Sequence, residues 1–173
     1  GAVATNNKEF AYWVRYASAY GRNQKSHYDN SWDYDIEIVG YKKNYTNLAA
    51  AICLEQLRRL DKTNARRQRI VRIYNEALGY SNKSDYLYRI NIKDRDGFIQ
   101  YALKNGVECG VHFKPLHLMK PFRNTPMGME DKIRAEKAYK KTVSLPFYDT
   151  MTDKEINKVI NVVKKYKKLG KRI

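Results

Sequence analysis

Two short stretches of this chain hold the residue types that ligand chemistry needs. The first is Gly40-Tyr41-Lys42-Lys43-Asn44-Tyr45-Thr46-Asn47. Here a turn rich in ammonium and amide groups feeds straight into the start of a helix. Backbone N–H groups at a helix N-terminus, the helix dipole and a lysine together suit a phosphate. An ordinary turn capped by Thr46 accounts for the same residues equally well. The second stretch is Val111-His112-Phe113-Lys114-Pro115-Leu116-His117. A strand ends there in a proline-fixed loop bearing two histidines and a lysine. Loops held on a rigid scaffold often carry ligands. His112 and His117 are five residues apart with no third ligand close by, which argues against zinc. For each ring, a local hydrogen bond is the simpler reading. The chain has no Walker loop and no GxGxxG run, and no nucleophile triad or paired carboxylates stand in a recognisable setting.

The elements that must position these loops can be read from spacing. Residues 1–5 form a short apolar run of strand type. Asn6 and Glu9 have capping-box spacing, and Phe10, Trp13, Val14 and Ala17 follow at helical intervals until Gly21 stops them. Residues 22–37, with His27, Tyr28, Trp32 and Tyr34, have no clean period and read as a long loop. A helical region runs over 48–77 with a break near 61–64, and Arg66, Arg67 and Arg69 are expected on its solvated face. Strand alternation covers 86–92, a helix covers 94–105, and 107–113 is a strand interrupted by Gly110. Residues 114–129 hold three prolines and form a loop. A helix over 131–141, a strand over 143–145 and a last helix opened by Thr152 and Glu155 complete the order. Ile156, Val159, Ile160 and Val163 point inward on that last helix. This alternation predicts an α+β domain whose sheet is covered on one side by helices.

Bulk properties limit the function classes. The chain has 173 residues, 43% of them hydrophobic, enough for a buried core and unlike a disordered protein. No apolar run approaches the roughly 20 residues needed to span a bilayer. Residues 1–10 lack a basic segment followed by an apolar one, so no secretory leader is expected there. Cys53 and Cys109 stand far apart without metal-ligand spacing and read as free thiols of a reducing cytoplasm. The net charge of +16, from 34 basic and 18 acidic residues, suits nucleic acid, an anionic membrane or phosphorylated small molecules without choosing among them. The lysine-rich run from Lys164 to Arg172 reads as a solvated helix end, where cations also suit the helix dipole.

Four motifs in order resemble one family. Tyr34-Asp35-Ile36, the 40–48 stretch and Ala50-Ala51-Ile52 resemble the GYKYNMTD-type loop and following helix of the DegT/DnrJ/StrS sugar-nucleotide aminotransferases. Gln56-Leu57, Leu60-Asp61, Arg66-Arg67 and Tyr74 continue that helix as the family does. Gly106-Val107, Gly110-Val111-His112-Phe113 and Pro115-Leu116-His117 resemble its "GI…VHY.PLH" segment. Ser144-Leu145-Pro146, Tyr148 and Thr152-Asp153-Lys154-Glu155 resemble its closing "SLP.Y..LTDEE" motif, and Gly1 to Thr5 is similar to the strand after the catalytic lysine. The departures are Lys43 in place of an aromatic residue, Tyr45 in place of methionine or leucine, and Ala49 in place of glutamine.

The resemblance implies the small C-terminal domain of a fold-type-I pyridoxal-phosphate transferase, with an antiparallel sheet of three to four strands covered by helices. Residues 1–47 would be the edge of the large cofactor-binding domain. Residues 48–173 would be a linking helix and the small domain. It further implies a cytoplasmic homodimer, in amino-sugar or cell-surface polysaccharide biosynthesis, that moves an amino group from glutamate to a nucleotide-linked keto-sugar. Lys42 and Asn44 would hold the phosphate of the partner subunit's pyridoxal phosphate. Tyr45, His112, Lys114 and His117 would line the substrate side. The Schiff-base lysine would lie before Gly1 and Lys8 does not replace it, so no catalytic residue is expected here, and the chain alone is expected to be inactive and to hold no cofactor. A non-catalytic basic module for nucleic acid or sugar nucleotide is the alternative, although the glycine-aromatic signatures of common RNA-binding folds are missing.

Overall fold

In the computed structural model, the residues described are 2–22, 34–123 and 129–169. They divide into two compact units, residues 1–58 and 59–173. His27, Tyr28 and Trp32, residues 124–128 of the proline loop and residues 170–173 of the basic tail lie outside the described residues.

The first unit contains helices α1 (Lys8–Ser18) and α2 (Asn47–Arg58). The cap of α1 is Asn7, one residue later than the expected Asn6. Its side chain accepts from the Phe10 N–H at 3.0 Å. The backbone N–H of Asn7 goes to the Thr5 hydroxyl at 3.1 Å, which takes the role expected of Glu9. Residues 2–5 form no sheet ladder among the described residues. Beyond α1 the chain turns through Tyr20 and Gly21, both with positive φ. The returning segment is laced to this turn. Tyr41 N–H donates to Ala17 O at 2.6 Å, Tyr20 N–H to Tyr41 O at 3.1 Å and Lys43 N–H to Ser18 O at 2.8 Å.

The second unit is α+β. Helix α3 (Leu60–Leu78) is followed by β1 (Tyr88–Asn91), α4 (Arg95–Lys104), α5 (Met129–Tyr139), β2 (Thr142–Leu145) and α6 (Asp153–Lys168). The break before α3 falls at Arg59, earlier than 61–64. Asp61 instead occupies the first turn of α3, where a carboxylate suits the dipole. Gly79, in the left-handed conformation, ends α3 through its N–H to Asn75 O.

Strands β1 and β2 pair antiparallel, with Tyr88 opposite Leu145 and Arg89 opposite Ser144. Tyr88 and Ile90 face the core while Arg89 and Asn91 face out, the alternation expected of a half-covered sheet. Among the described residues the sheet has two strands, not three to four. The third expected strand, 107–113, joins by one bridge: Gly110 N–H donates to Ser144 O and Ser144 N–H to Gly110 O. Just past this bridge the His112 ring lies over Gly110 and reaches Ser144.

Helix α6 packs on α3 and α4 through Ile156, Val159, Ile160, Val163 and Tyr166. The capping box expected at its start is present, Thr152 with Glu155. Buried tyrosines link the layers. Tyr74 stacks edge-on with Tyr88 and donates to Pro146 O, Tyr88 donates to Asn75, and Tyr166 packs on Phe98 and donates to Asp94. Each ring thus buries its apolar body and still satisfies its hydroxyl. Burial pushes the Tyr88 and Tyr166 hydroxyls up to about 12. Of the arginines expected on a solvated face, Arg69 is exposed while Arg66 and Arg67 are half-buried. Arg66 donates to Met151 O at 2.6 Å, and Arg69 pairs with Asp153 at 3.1 Å. Lys167, expected in solvent, donates to Leu78 O at the end of α3.

Candidate functional site

The 40–46 loop owes its shape to two close backbone approaches. A Cβ on Gly40 would collide with the backbone of Gly21 and Tyr20, and one on Gly21 would collide with Ile38 O. Only glycine lets these two turns touch. With the backbones of Tyr41 and Lys43 bonded to the end of α1, Lys42 sits at the bridge with Ala19. Lys42, Asn44 and Tyr45 are exposed. Thr46 caps α2, its hydroxyl accepting from Ala49 N–H at 3.2 Å. No carboxylate among the described residues pairs with Lys42. An ammonium and a carboxamide thus stand, without a side-chain partner among the described residues, at the mouth of a capped 12-residue helix, a donor set that fits a phosphate. The Tyr45 hydroxyl reaches Ala49 O at 3.3 Å. Its hydrogen bond with Cys53, then desolvation, hold it above the ordinary tyrosine range.

The histidine loop lies in the second unit. His112 Nδ1 is 2.9 Å from Ser144 Oγ, and its ring meets Phe113 edge-on at 4.9 Å. A Cβ on Gly110 would press into the same ring. His117 is buried in a 3₁₀ turn, Leu116–Leu118, that starts after Pro115. Its Nε2 lies 3.0 Å from Glu136 of α5, so this ring is committed to tying the loop to a helix. Lys114 is exposed. The structure thus places Lys42, Asn44 and Tyr45 on one loop, and His112 and Lys114 on another. Ser144, Gly110 and Glu136 were missed as site residues. Ser144 and Gly110 stood inside quoted motifs, but only the strand pairing reveals that they share one ring.

The family model for DegT/DnrJ/EryC1/StrS aminotransferases matches residues 1–164. This chain belongs to that family. It is 33% identical over 189 residues to the Methanocaldococcus jannaschii protein MJ1066, covering 95% of this chain and 49% of that protein. It is 30% identical to the spore coat polysaccharide biosynthesis protein SpsC of Bacillus subtilis, covering 95% of this chain and 48% of that protein. Spr1654 from Streptococcus pneumoniae, solved in a PMP form, has the same fold. The TM-score is 0.84 at 24% identity, over 98% of this chain and 47% of that one. The chain spans about half the length of the relatives it matches. Among the described residues no helix is long and apolar enough to cross a membrane, and no group of three or more His, Cys, Asp or Glu could hold a metal.

Proposed function

We propose that this chain is the C-terminal half of a pyridoxal-phosphate-dependent aminotransferase that passes an amino group from glutamate to a keto group on a nucleotide-linked sugar. Family membership over residues 1–164 supports the aminotransferase class. The observation that carries the cofactor assignment is the 40–46 loop, which offers Lys42 and Asn44 at the entrance of α2. In this reading Lys42 supplies the charge and Asn44 a hydrogen bond to the phosphate of a pyridoxal phosphate housed mainly by a partner subunit. That cofactor supplies the electron sink for moving an amino group. Residues 1–47 belong with the large domain, and 48–173 form the linking helix and the small domain. Tyr45, His112 and Lys114 face the nucleotide-sugar side, and His117 holds the 114–118 loop in place through Glu136. The lysine that carries the cofactor is supplied by polypeptide outside this chain. The working enzyme is a cytoplasmic homodimer in amino-sugar or surface-polysaccharide synthesis.

The test compares this chain with a full-length protein containing it, both given pyridoxal phosphate, glutamate and a panel of nucleotide-linked keto-sugars. The full-length protein is expected to release 2-oxoglutarate in step with amino-sugar, and the chain alone to release none. A full-length protein that transfers no amine, beside a chain that binds polyanions tightly and loses them with salt, would replace this reading with a basic binding module.

A further inference from the structure

We infer that Ser144 is a positioning residue that holds His112 as the tautomer protonated at Nε2, so that the ring donates a hydrogen bond to a phosphate oxygen of the substrate. The inference rests on the proposal above that His112 faces the nucleotide-sugar side.

The argument is a hydrogen-bond accounting. Ser144 is 3% exposed, in the middle of β2. Its backbone N–H and C=O are both taken by Gly110. Its hydroxyl has one partner among the described residues, His112 Nδ1 at 2.9 Å. A hydroxyl carries one hydrogen, and a buried donor without an acceptor is rarely tolerated. If Nδ1 held the ring proton, it would donate to Ser144 Oγ and leave the buried hydroxyl hydrogen with nowhere to go. If Nδ1 is the acceptor, the serine donates to it and the neutral ring must carry its proton on Nε2. Nε2 has no protein acceptor among the described residues. The ring cannot easily turn away from this arrangement, because Gly110 lies against one side and Phe113 meets it edge-on. A fixed N–H donor calls for an acceptor oxygen and rejects a protonated amine. The exposed ammonium of Lys114, two residues on, favours an anionic oxygen over a sugar hydroxyl.

The experiment is long-range ¹⁵N–¹H correlation NMR on the full-length protein containing this chain, labelled at histidine, at a pH where the ring is neutral. Wild type should show His112 with an unprotonated-type Nδ1 and a protonated-type Nε2. In Ser144→Ala the two nitrogen shifts should move toward each other as both tautomers become populated. A protonated Nδ1 in wild type overturns the inference, and that spectrum is decisive even if the variant does not fold. Identical His112 shifts in the variant overturn it as well. Inorganic pyrophosphate should move the Nε2 resonance and glucose should not. A response to glucose alone overturns the phosphate assignment. Silence to both, with the tautomer as stated, instead overturns the placement of His112 on the ligand side.

Discussion

The two units hold themselves together in different ways. Residues from Ile70 to Tyr166 supply the buried apolar core, whereas in residues 1–58 the one buried hydrophobic residue among those described is Ala17. Helix α2 buries none of its side chains, and Leu48, Ile52 and Leu57 are 74%, 56% and 64% exposed. The second unit is a core with loops attached. The first is a loop held by backbone hydrogen bonds and two glycines, with an apolar helix still uncovered. The lesson is that a loop can be shaped without a core of its own, through close backbone contacts that tolerate no side chain.

The contrast can be broken most sharply at large aromatic residues. Phe98→Ala removes a fully buried ring and should cost the second unit about 3–5 kcal/mol in denaturant unfolding. Trp13→Ala, at a ring that is 54% exposed, should cost about 0.5 kcal/mol or less. Equal losses at the two sites would remove the distinction. The next effect concerns the glycines. Gly40→Ala should destabilise the loop by about 1–3 kcal/mol through overpacking against Gly21. Hydrogen exchange at the Tyr41 and Lys43 amides should quicken while that of β1 stays as it was. Unchanged exchange would mean that the loop is held by something else.

Much of the second unit was legible from spacing. The 94–105 helix, the capping box of α6 and the inward face of that helix all follow from apolar period and cap chemistry. The 40–46 loop could be located from its residue types, but not the reason for its shape, because Gly21 and Gly40 touch across a segment that no local pattern links. The sheet came out narrower than expected because 107–113 looks like a strand by composition. A ring that returns over Gly110 is invisible to a period-two reading. Arg66 and Lys167 were read as solvated since their partners, Met151 and Leu78, are distant in sequence, whereas Arg69 is exposed as expected and pairs with Asp153 at the surface.

The smallest effect is at the α6 cap. Thr152→Ala should cost about 1 kcal/mol. The Thr152 backbone and then its hydroxyl hold the Glu155 carboxyl below its ordinary value of 4.5. This contribution is present above that value and is lost as pH falls through the lower folded one. Glu155→Gln should therefore flatten the acid limb of the stability curve, and an unchanged limb would remove Glu155 from the cap's pH response.

The most direct measurement of the role proposed for the 40–46 loop compares pyridoxal phosphate with pyridoxal, which lacks the phosphate, binding to the full-length protein with and without Lys42→Ala and Asn44→Ala. If the loop grips the phosphate, the double variant should weaken pyridoxal phosphate by tenfold or more and leave pyridoxal unchanged, as expected for charge-assisted bonds of about 1.5–3 kcal/mol. Equal affinity for pyridoxal phosphate in the wild type and the variant would contradict it.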